Sequence, residues 1–166
     1  NNKNNCAESY HSTFSLTQTI TVPAGVYSLT AQGFYRQDGS DNDNLPYFFM
    51  GDEKMTFPFR TGSENSMSDA SASFSNGLYT INPIYVKVGE EGTIELGAKN
   101  DVNTNLWCIW DNFQLKYYGA DADIATLKFG AYVTQVEALR ATATGYLSAD
   151  INPVVKAAIE AALAAT

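Results

Sequence analysis

The sequence predicts a mainly β protein, an antiparallel jelly-roll-like β-sandwich followed by a short C-terminal helical segment. Two observations lead to this fold class. Short segments of alternating apolar and polar residues, separated by turn residues, recur along residues 14–118, and such alternation is typical of strands with one buried face. The composition then changes near Gly119 from glycine and aromatic residues to alanine, which favours helices. We therefore predict a sandwich over residues 1–119 and about two helices over residues 120–166.

The predicted strands follow one another with short turns or polar loops between them. In the first, Phe14, Leu16 and Ile20 alternate with serine and threonine residues, and the turn Pro23-Ala24-Gly25 leads into the partner strand. The predicted strands cover residues 14–22, 26–36, 46–51, 54–60, 78–88, 93–98 and 106–118. About seven short strands at this spacing are typical of an antiparallel sandwich.

The helical segment contains two recognisable helices. Ile124, Leu127 and Ala131 begin an apolar stripe at helical spacing that ends near Gly145. The pair Asn152-Pro153 then supplies a helix N-cap and a proline at the first helical position, which predicts a second helix up to residue 165. Two such helices cannot bury both of their faces alone. We expect the segment to belong to a larger or truncated helical module.

Composition and motifs exclude several classes of function. The net charge is −8, which disfavours nucleic acid and anionic membrane surfaces as partners. The apolar runs are too short for a membrane-spanning helix or a signal peptide. No nucleophile, metalloprotease or phosphate-loop motif occurs, and nothing marks two carboxylates as a glycosidase pair. His11 has no ligand partner nearby in sequence, which disfavours zinc. We expect a protein that is not an enzyme and that needs no organic cofactor.

The loops of the predicted sandwich divide into two groups. Consecutive antiparallel strands reverse direction, so their connections alternate between the two ends. The short turns at residues 23–25, 51–53 and 89–92 then share one end. The long connections at residues 37–45, 61–77 and 99–105 share the other, and all three are polar.

Aromatic and polar residues at the long-loop end predict a sugar-binding site. A sugar ring stacks on tyrosine or tryptophan and its hydroxyls bond to carboxylate, amide and guanidinium groups, which loops on a rigid scaffold often carry. The candidate stacking residues are Tyr35, Tyr47 and Trp107. The candidate hydroxyl-binding residues are Arg36, Asp41, Asp43, Arg60, Asn103 and Asn105. The alternative is that these loops are ordinary polar loops and that the aromatic residues serve packing.

The two cysteines and the acidic loops allow two further sites. Cys6 and Cys108 either form a disulfide that closes a long loop, stabilising the fold by about 3–5 kcal/mol, or are two buried thiols. The aspartates of residues 38–44 could gather oxygen ligands around calcium. Residues 101–105 have the first half of the helix–loop–helix calcium spacing, without its glycine and distal glutamate. Such loops also commonly bond their own backbone.

Four segments carry a resemblance to a known family. They are residues 7–19 (AESYHSTFSLTQT), 23–36 (PAGVYSLTAQGFYR), 70–79 (ASASFSNGLY) and 107–119 (WCIWDNFQLKYYG). Together they resemble a β-sandwich accessory module found in large secreted and surface glycan-degrading proteins of Bacteroides-type gut bacteria. The spacing W-x-x-x-D-N-F-x-L-x-Y-x-G in the last segment is the most specific part of the match.

The resemblance implies a galactose-binding-like or carbohydrate-binding-module jelly roll located outside the cell. Related modules hold a structural calcium between an N-terminal glutamate and an aspartate on the last strand, and Glu8 and Asp111 correspond to these positions. The alternative for Asp111 is a hydrogen-bonding role at the strand end. The implied partners are a glycan and other domains of the same polypeptide.

Two functions are therefore expected from the sequence. The first is a non-catalytic carbohydrate-binding module of an extracellular or cell-surface glycan-processing protein. The second is a structural spacer or protein-adhesion module of a multi-domain surface protein, without a glycan ligand of its own.

Overall fold

The protein is a β-sandwich with a C-terminal helical tail, as the sequence predicts. The computed structural model describes residues 6–39, 44–90, 92–102 and 105–165. The strands are β1 (Ala7–Tyr10), β2 (Phe14–Val22), β3 (Gly25–Gln37), β4 (Tyr47–Met50), β5 (Glu53–Thr56), β6 (Ile84–Val88), β7 (Gly92–Asn100) and β8 (Leu106–Tyr117). The helices are α1 (Met67–Ser75), α2 (Ile124–Leu147) and α3 (Pro153–Ala164).

The strands form two antiparallel four-stranded sheets. One has the order β1-β8-β3-β6 and the other the order β2-β7-β4-β5. The main core lies between them and contains the buried side chains of Leu29, Phe48, Met50, Phe57, Ile94, Ala98, Leu106, Cys108 and Trp110, among others. The two longest strands, β3 and β8, pair along most of their length, so they form the rigid centre of their sheet.

The predicted division of the loops is confirmed for the described residues. Strand directions place the three long connections at one end of the sandwich and the short turns at the other. The backbone N–H of Asp38 donates to the carbonyl oxygen of Asn105 over 3.1 Å, which joins two of the long connections. The Nη1 group of Arg36 donates to Asn65 Oδ1 over 2.6 Å and reaches the third.

A helix, α1, lies in the connection that the sequence predicts to be a loop. Ser66 caps it by accepting a hydrogen bond from the backbone N–H of Asp69, which satisfies a donor that the first turn leaves unpaired. The helix buries Ala70 and Phe74 against the outer face of the β1-β8-β3-β6 sheet. With only two buried positions in a serine-rich segment, its apolar periodicity is too weak to predict it.

The predicted strand over residues 78–88 is shorter in the structure. Only Ile84–Val88 forms a strand. Gly77 and Tyr79 have φ values of 78° and 58°, which an extended strand does not allow. The residues before β6 therefore form a turn instead of continuing the sheet.

Cys6 and Cys108 are both free thiols, which corrects the disulfide prediction. The alternative of two buried thiols holds for Cys108, whereas Cys6 is only partly buried. Cys108 faces the core between the sheets and is 0% exposed. Cys6 packs with α1 on the other face of the same sheet, and its thiol donates to the carbonyl oxygen of Met67 over 3.5 Å. The sheet itself separates the two sulfur atoms, so they cannot form a bond in this fold.

The chain divides into two compact units, Asn1–Ile124 and Ala125–Thr166. The second unit holds the predicted helices, and its α3 begins as predicted: the backbone N–H of Val154 donates to Asn152 Oδ1 over 2.9 Å, and Pro153 takes the first helical position. Neither α2 nor α3 contains a buried residue. Among the described residues, no helix has the length and apolar character needed to span a membrane.

Candidate functional site

The site is built on one row of residues across three neighbouring strands. The strand register pairs Trp107 of β8 with Tyr10 of β1 on one side and with Arg36 of β3 on the other. Paired residues of adjacent strands point to the same face. The row lies at the long-loop end of the sandwich, on the outer face that α1 partly covers.

Arg36 is held by three hydrogen bonds. Its Nε and Nη2 groups donate to the two carboxylate oxygens of Asp38 over 2.5 and 2.7 Å, a bidentate geometry that is among the stronger kinds of hydrogen bond. Its Nη1 group donates to Asn65. The hydrogen bond with Asp38 raises the pKa of Arg36. In turn, the guanidinium holds the pKa of Asp38 below its usual value, and a bond to His11 adds to this effect.

Trp107 forms the floor beneath this guanidinium. The Arg36 Cζ atom lies 4.8 Å from the centroid of the indole ring, within the range of a cation–π contact. The indole Nε1–H donates to Glu8 Oε2 over 2.7 Å. Trp107 is only 3% exposed, so it orients Glu8 and Arg36 and offers no open ring face.

Tyr10 provides an open aromatic surface at the edge of the row. Its side chain is among the exposed large hydrophobic groups, with 57% of the residue accessible. The ring stacks on His11, with a centroid distance of 3.9 Å and an interplanar angle of 16°. His11 Nε2 lies 3.1 Å from Asp38 Oδ2, so the stacked pair is tied to the same carboxylate that holds Arg36.

A cavity of about 420 Å³ opens between this row and the start of α1. Small-molecule sites commonly have volumes of about 300–1,000 Å³. Its lining residues are Glu8, Tyr10, Arg36, Asn65, Ser66, Met67 and Trp107. The cavity therefore combines an exposed aromatic ring with a carboxylate, a guanidinium, an amide and a hydroxyl.

A buried carboxylate fixes the loop that supplies one wall of the cavity. Glu64 is 7% exposed and accepts hydrogen bonds from Ser73 Oγ over 2.6 Å and from Tyr79 Oη over 2.9 Å. Arg60 donates to the Glu64 carbonyl oxygen over 2.6 Å. Burial alone would raise the pKa of Glu64, but these hydroxyl bonds and its own backbone outweigh it and lower the pKa. Glu64 thereby positions the next residue, Asn65, beside Arg36.

Two of the predicted sugar-binding residues, Arg36 and Trp107, line the cavity. Tyr35 does not, because alternation along β3 turns it toward the other face, where it packs at the edge of the main core. Its ring meets Phe59 edge to face, with centroids 5.4 Å apart.

Tyr47 and Arg60 also lie outside the cavity. The hydroxyl of Tyr47 donates to Asp101 Oδ2 over 2.8 Å, and the Lys54 ammonium lies 4.2 Å from the centroid of its ring. Arg60 holds the backbone of Glu64. Tyr47 therefore holds the connection between β7 and β8 from strand β4, and Arg60 acts on the cavity wall instead of within it.

The remaining predicted residues lie in the loops. Asn105 is exposed, has a φ of 54°, and accepts a hydrogen bond from the backbone of Asp38 through its carbonyl oxygen. The predicted residues Asp41, Asp43 and Asn103 lie outside the described residues.

Sequence reasoning missed Tyr10, Asn65, Ser66 and Met67 as members of this site. Tyr10 could have been found, because the connection between β1 and β2 falls at the long-loop end by the same alternation of strand directions. The other three lie in the polar connection 61–77 that the sequence places at this end, but their approach to the cavity depends on α1, which the sequence does not predict.

The residues proposed for calcium have separate partners in the structure. Glu8 accepts the indole hydrogen bond of Trp107. Asp111 accepts a hydrogen bond from the backbone N–H of Asn112 over 2.7 Å. It lies within β8 (Leu106–Tyr117) and not at a strand end, so only the hydrogen bond of the alternative given above is seen. No group of three potential metal ligands occurs among the described residues. Calcium binding by Glu8 and Asp111 stays a prediction.

Comparisons with protein-family models, with curated proteins and with solved structures found no match to this chain. The resemblance described above therefore depends on its sequence motifs alone.

Proposed function

We propose that this chain is a non-catalytic carbohydrate-binding module of an extracellular or cell-surface glycan-processing protein. The observation that supports the proposal is the exposed ring of Tyr10 beside a cavity lined by Glu8, Arg36 and Asn65. A sugar needs an aromatic surface for its apolar face and hydrogen-bonding groups for its hydroxyls. Both are present here within one concave site.

The hydrogen-bonding capacity of the cavity suits hydroxyl groups. Arg36 uses three of its N–H groups on Asp38 and Asn65, and a guanidinium has five. The carboxylate of Glu8 uses one oxygen on Trp107 and retains acceptor capacity on the other. A sugar hydroxyl is both donor and acceptor, so it can bond to both groups at once.

Replacing Tyr10 by alanine tests this proposal. We expect a loss of glycan affinity of about tenfold, because the lost ring contact is worth about 1.4 kcal/mol. The glycan is found on an array probed in calcium-containing buffer, and the affinity is then measured by calorimetry. Tyr146→Ala is the matched control, because Tyr146 lies on α2 and is 56% exposed against 57% for Tyr10.

The outcomes distinguish a specific sugar site from nonspecific binding of the protein to glycans. Loss of binding in Tyr10→Ala, with binding unchanged in Tyr146→Ala, would support the proposed site. An equal loss in both variants, or a complete absence of binding on plant, host and microbial glycans, would contradict it.

A specific feature of the second unit supports the structural or adhesion role as a second candidate. The long helix α2 exposes six large apolar or aromatic side chains. Five of them follow one another at intervals of three, four, three and seven residues: Phe129, Tyr132, Val136, Leu139 and Tyr146. Exposed apolar surface of this kind is typical of protein contacts. Light scattering of the full chain and of its Leu139→Glu variant tests this role. A monomer at all concentrations in both would argue against association through this helix.

A further inference from the structure

We infer that the Tyr10 cavity selects neutral sugar units over uronate, sialate and sulfated units. The inference rests on the proposed function and specifies its ligand class. Arg36 is the only lysine or arginine among the residues that line the cavity in the described part of the chain. An arginine beside an aromatic ring would by itself suggest recognition of a carboxylate or sulfate. The contacts of this arginine indicate otherwise.

The charge of Arg36 is already compensated within the protein. Asp38 occupies the edge of the guanidinium formed by Nε and Nη2, with both oxygens at 2.5–2.7 Å. This is the bidentate arrangement in which an anionic ligand would otherwise bind. Asn65 takes a further N–H on Nη1. An incoming carboxylate would have to compete with Asp38 for the guanidinium of Arg36, whose charge Asp38 already neutralises.

Glu8 adds a negative charge on the cavity wall itself, beyond that of Asp38 on Arg36. Its carboxylate is oriented by the indole N–H of Trp107 over 2.7 Å and lines the same cavity as Arg36. Two carboxylates therefore face one guanidinium, so the local balance is negative. The whole chain, at −8, repels anions as well.

A neutral hydroxyl group, unlike a carboxylate, is not repelled by Glu8 and Asp38. It accepts from the remaining N–H groups of Arg36 and donates to Glu8 without adding charge. The stacking surface of Tyr10 is equally available to neutral and to acidic rings. The discrimination therefore comes from Glu8 and Asp38, and removing their charges should weaken it.

The test compares neutral sugars with acidic partners, and the first two pairs differ only in oxidation at C6. Galactose is paired with galacturonate, and glucose with glucuronate, with lactose and sialyllactose as a third pair. Binding is measured at pH 8, above the usual titration range of histidine side chains, by calorimetry or by chemical-shift titration. For every pair of which the natural chain binds at least one sugar, we expect the neutral sugar to bind at least tenfold more tightly than the acidic one.

The double variant Glu8→Gln/Asp38→Asn removes both charges while keeping the shape of the side chains. We expect it to lower the neutral-to-acidic preference by at least tenfold. The control Asp52→Asn/Glu90→Gln changes the net charge by the same amount at exposed turn positions at the opposite end of the sandwich. We expect that control to keep the preference of the natural chain. Glu8→Gln alone serves as a second variant, because it leaves the Arg36–Asp38 pair intact if the double variant fails to fold.

The outcomes distinguish this inference from the proposed function. Equal or tighter binding of the acidic sugars by the natural chain would overturn the inference and leave the sugar site standing. So would an unchanged preference in a folded Glu8→Gln/Asp38→Asn variant. Absence of binding to every sugar of both kinds would overturn the proposed function and the inference together.

Discussion

Replacing Glu64 by alanine should destabilise the first unit by about 3 kcal/mol. The carboxylate is 7% exposed and accepts hydrogen bonds from Ser73 and Tyr79 at 2.6 and 2.9 Å. A hydrogen bond to a charged group contributes about 1.5 kcal/mol at the lower end of its range, and two such bonds are lost. The variant also leaves two hydroxyl groups beneath the loop without their acceptor.

The same carboxylate should make stability depend on pH with a definite sign. The pKa of Glu64 is lower in the folded protein than its ordinary value, which is about 4.3 in an unfolded chain. Its contribution is therefore fully present above that unfolded value and is lost as the pH falls through the lower, folded value. Glu64→Gln keeps the shape but not the charge. The difference in stability between the natural chain and Glu64→Gln should shrink in that acidic range.

Urea unfolding followed by tryptophan fluorescence measures the effect in the correct unit. Both tryptophans, Trp107 and Trp110, lie in the first unit, so the signal does not report on α2 or α3. Ser73→Ala and Tyr79→Phe each remove one of the two bonds. Combining each with Glu64→Ala in a double-mutant cycle gives the coupling energy directly.

A small effect would refute this account of the cavity wall. If Glu64→Ala lowers the free energy of unfolding by less than about 0.5 kcal/mol, the level of an ordinary surface substitution, the carboxylate does not hold the loop. If it destabilises as expected, the affinity of the Tyr10 cavity for sugar should also fall. Asn65, the next residue, would then no longer be fixed beside Arg36.

Two further predictions concern the core. Burial raises the pKa of Cys108 to about 12 and also raises the pKa of Cys6. A thiol reagent should therefore not modify Cys108 in the folded protein but should titrate both thiols in urea. A zero titre in urea that reductant restores would indicate a disulfide. Gly97→Ala should lower the free energy of unfolding by about 3 kcal/mol, because a Cβ atom there would lie 1.9 Å from the carbonyl oxygen of Leu16. Gly130→Ala on α2, where a Cβ atom would meet open space, should instead stabilise the helix by up to about 1 kcal/mol. Urea unfolding followed by circular dichroism measures both, and an equal effect of the two substitutions would contradict the close approach at Gly97.

Much of the fold could be predicted because its signals are local. The alternation in residues 14–22 and the capping pair Asn152-Pro153 each depend on neighbours within a few positions, and both predictions are confirmed. Counting strand reversals also placed the long connections together. The helix α1 could not be predicted, because its stability comes from burying Ala70 and Phe74 on a sheet that forms from distant segments.

The candidate site was predictable in position and not in composition. Arg36 and Trp107 were correctly placed at the long-loop end. Burial of Trp107 at 3% exposure and the pairing of Arg36 with Asp38 were not predictable, because alternation predicts that a residue faces outward but not what covers it. The open ring belongs to Tyr10 instead, which lies beside Trp107 through strand pairing.

The sequence by itself determined the class of fold, the change from strands to helices, and the end of the sandwich at which the polar loops meet. These properties follow from side-chain periodicity and from the reversal of consecutive strands. Only the tertiary structure decided which groups share the cavity, because Glu8 and Trp107 are 99 positions apart in the chain. It also separated the two cysteines onto opposite faces of one sheet. Strand register and sheet packing set these contacts, and both depend on residues that are far apart in the chain.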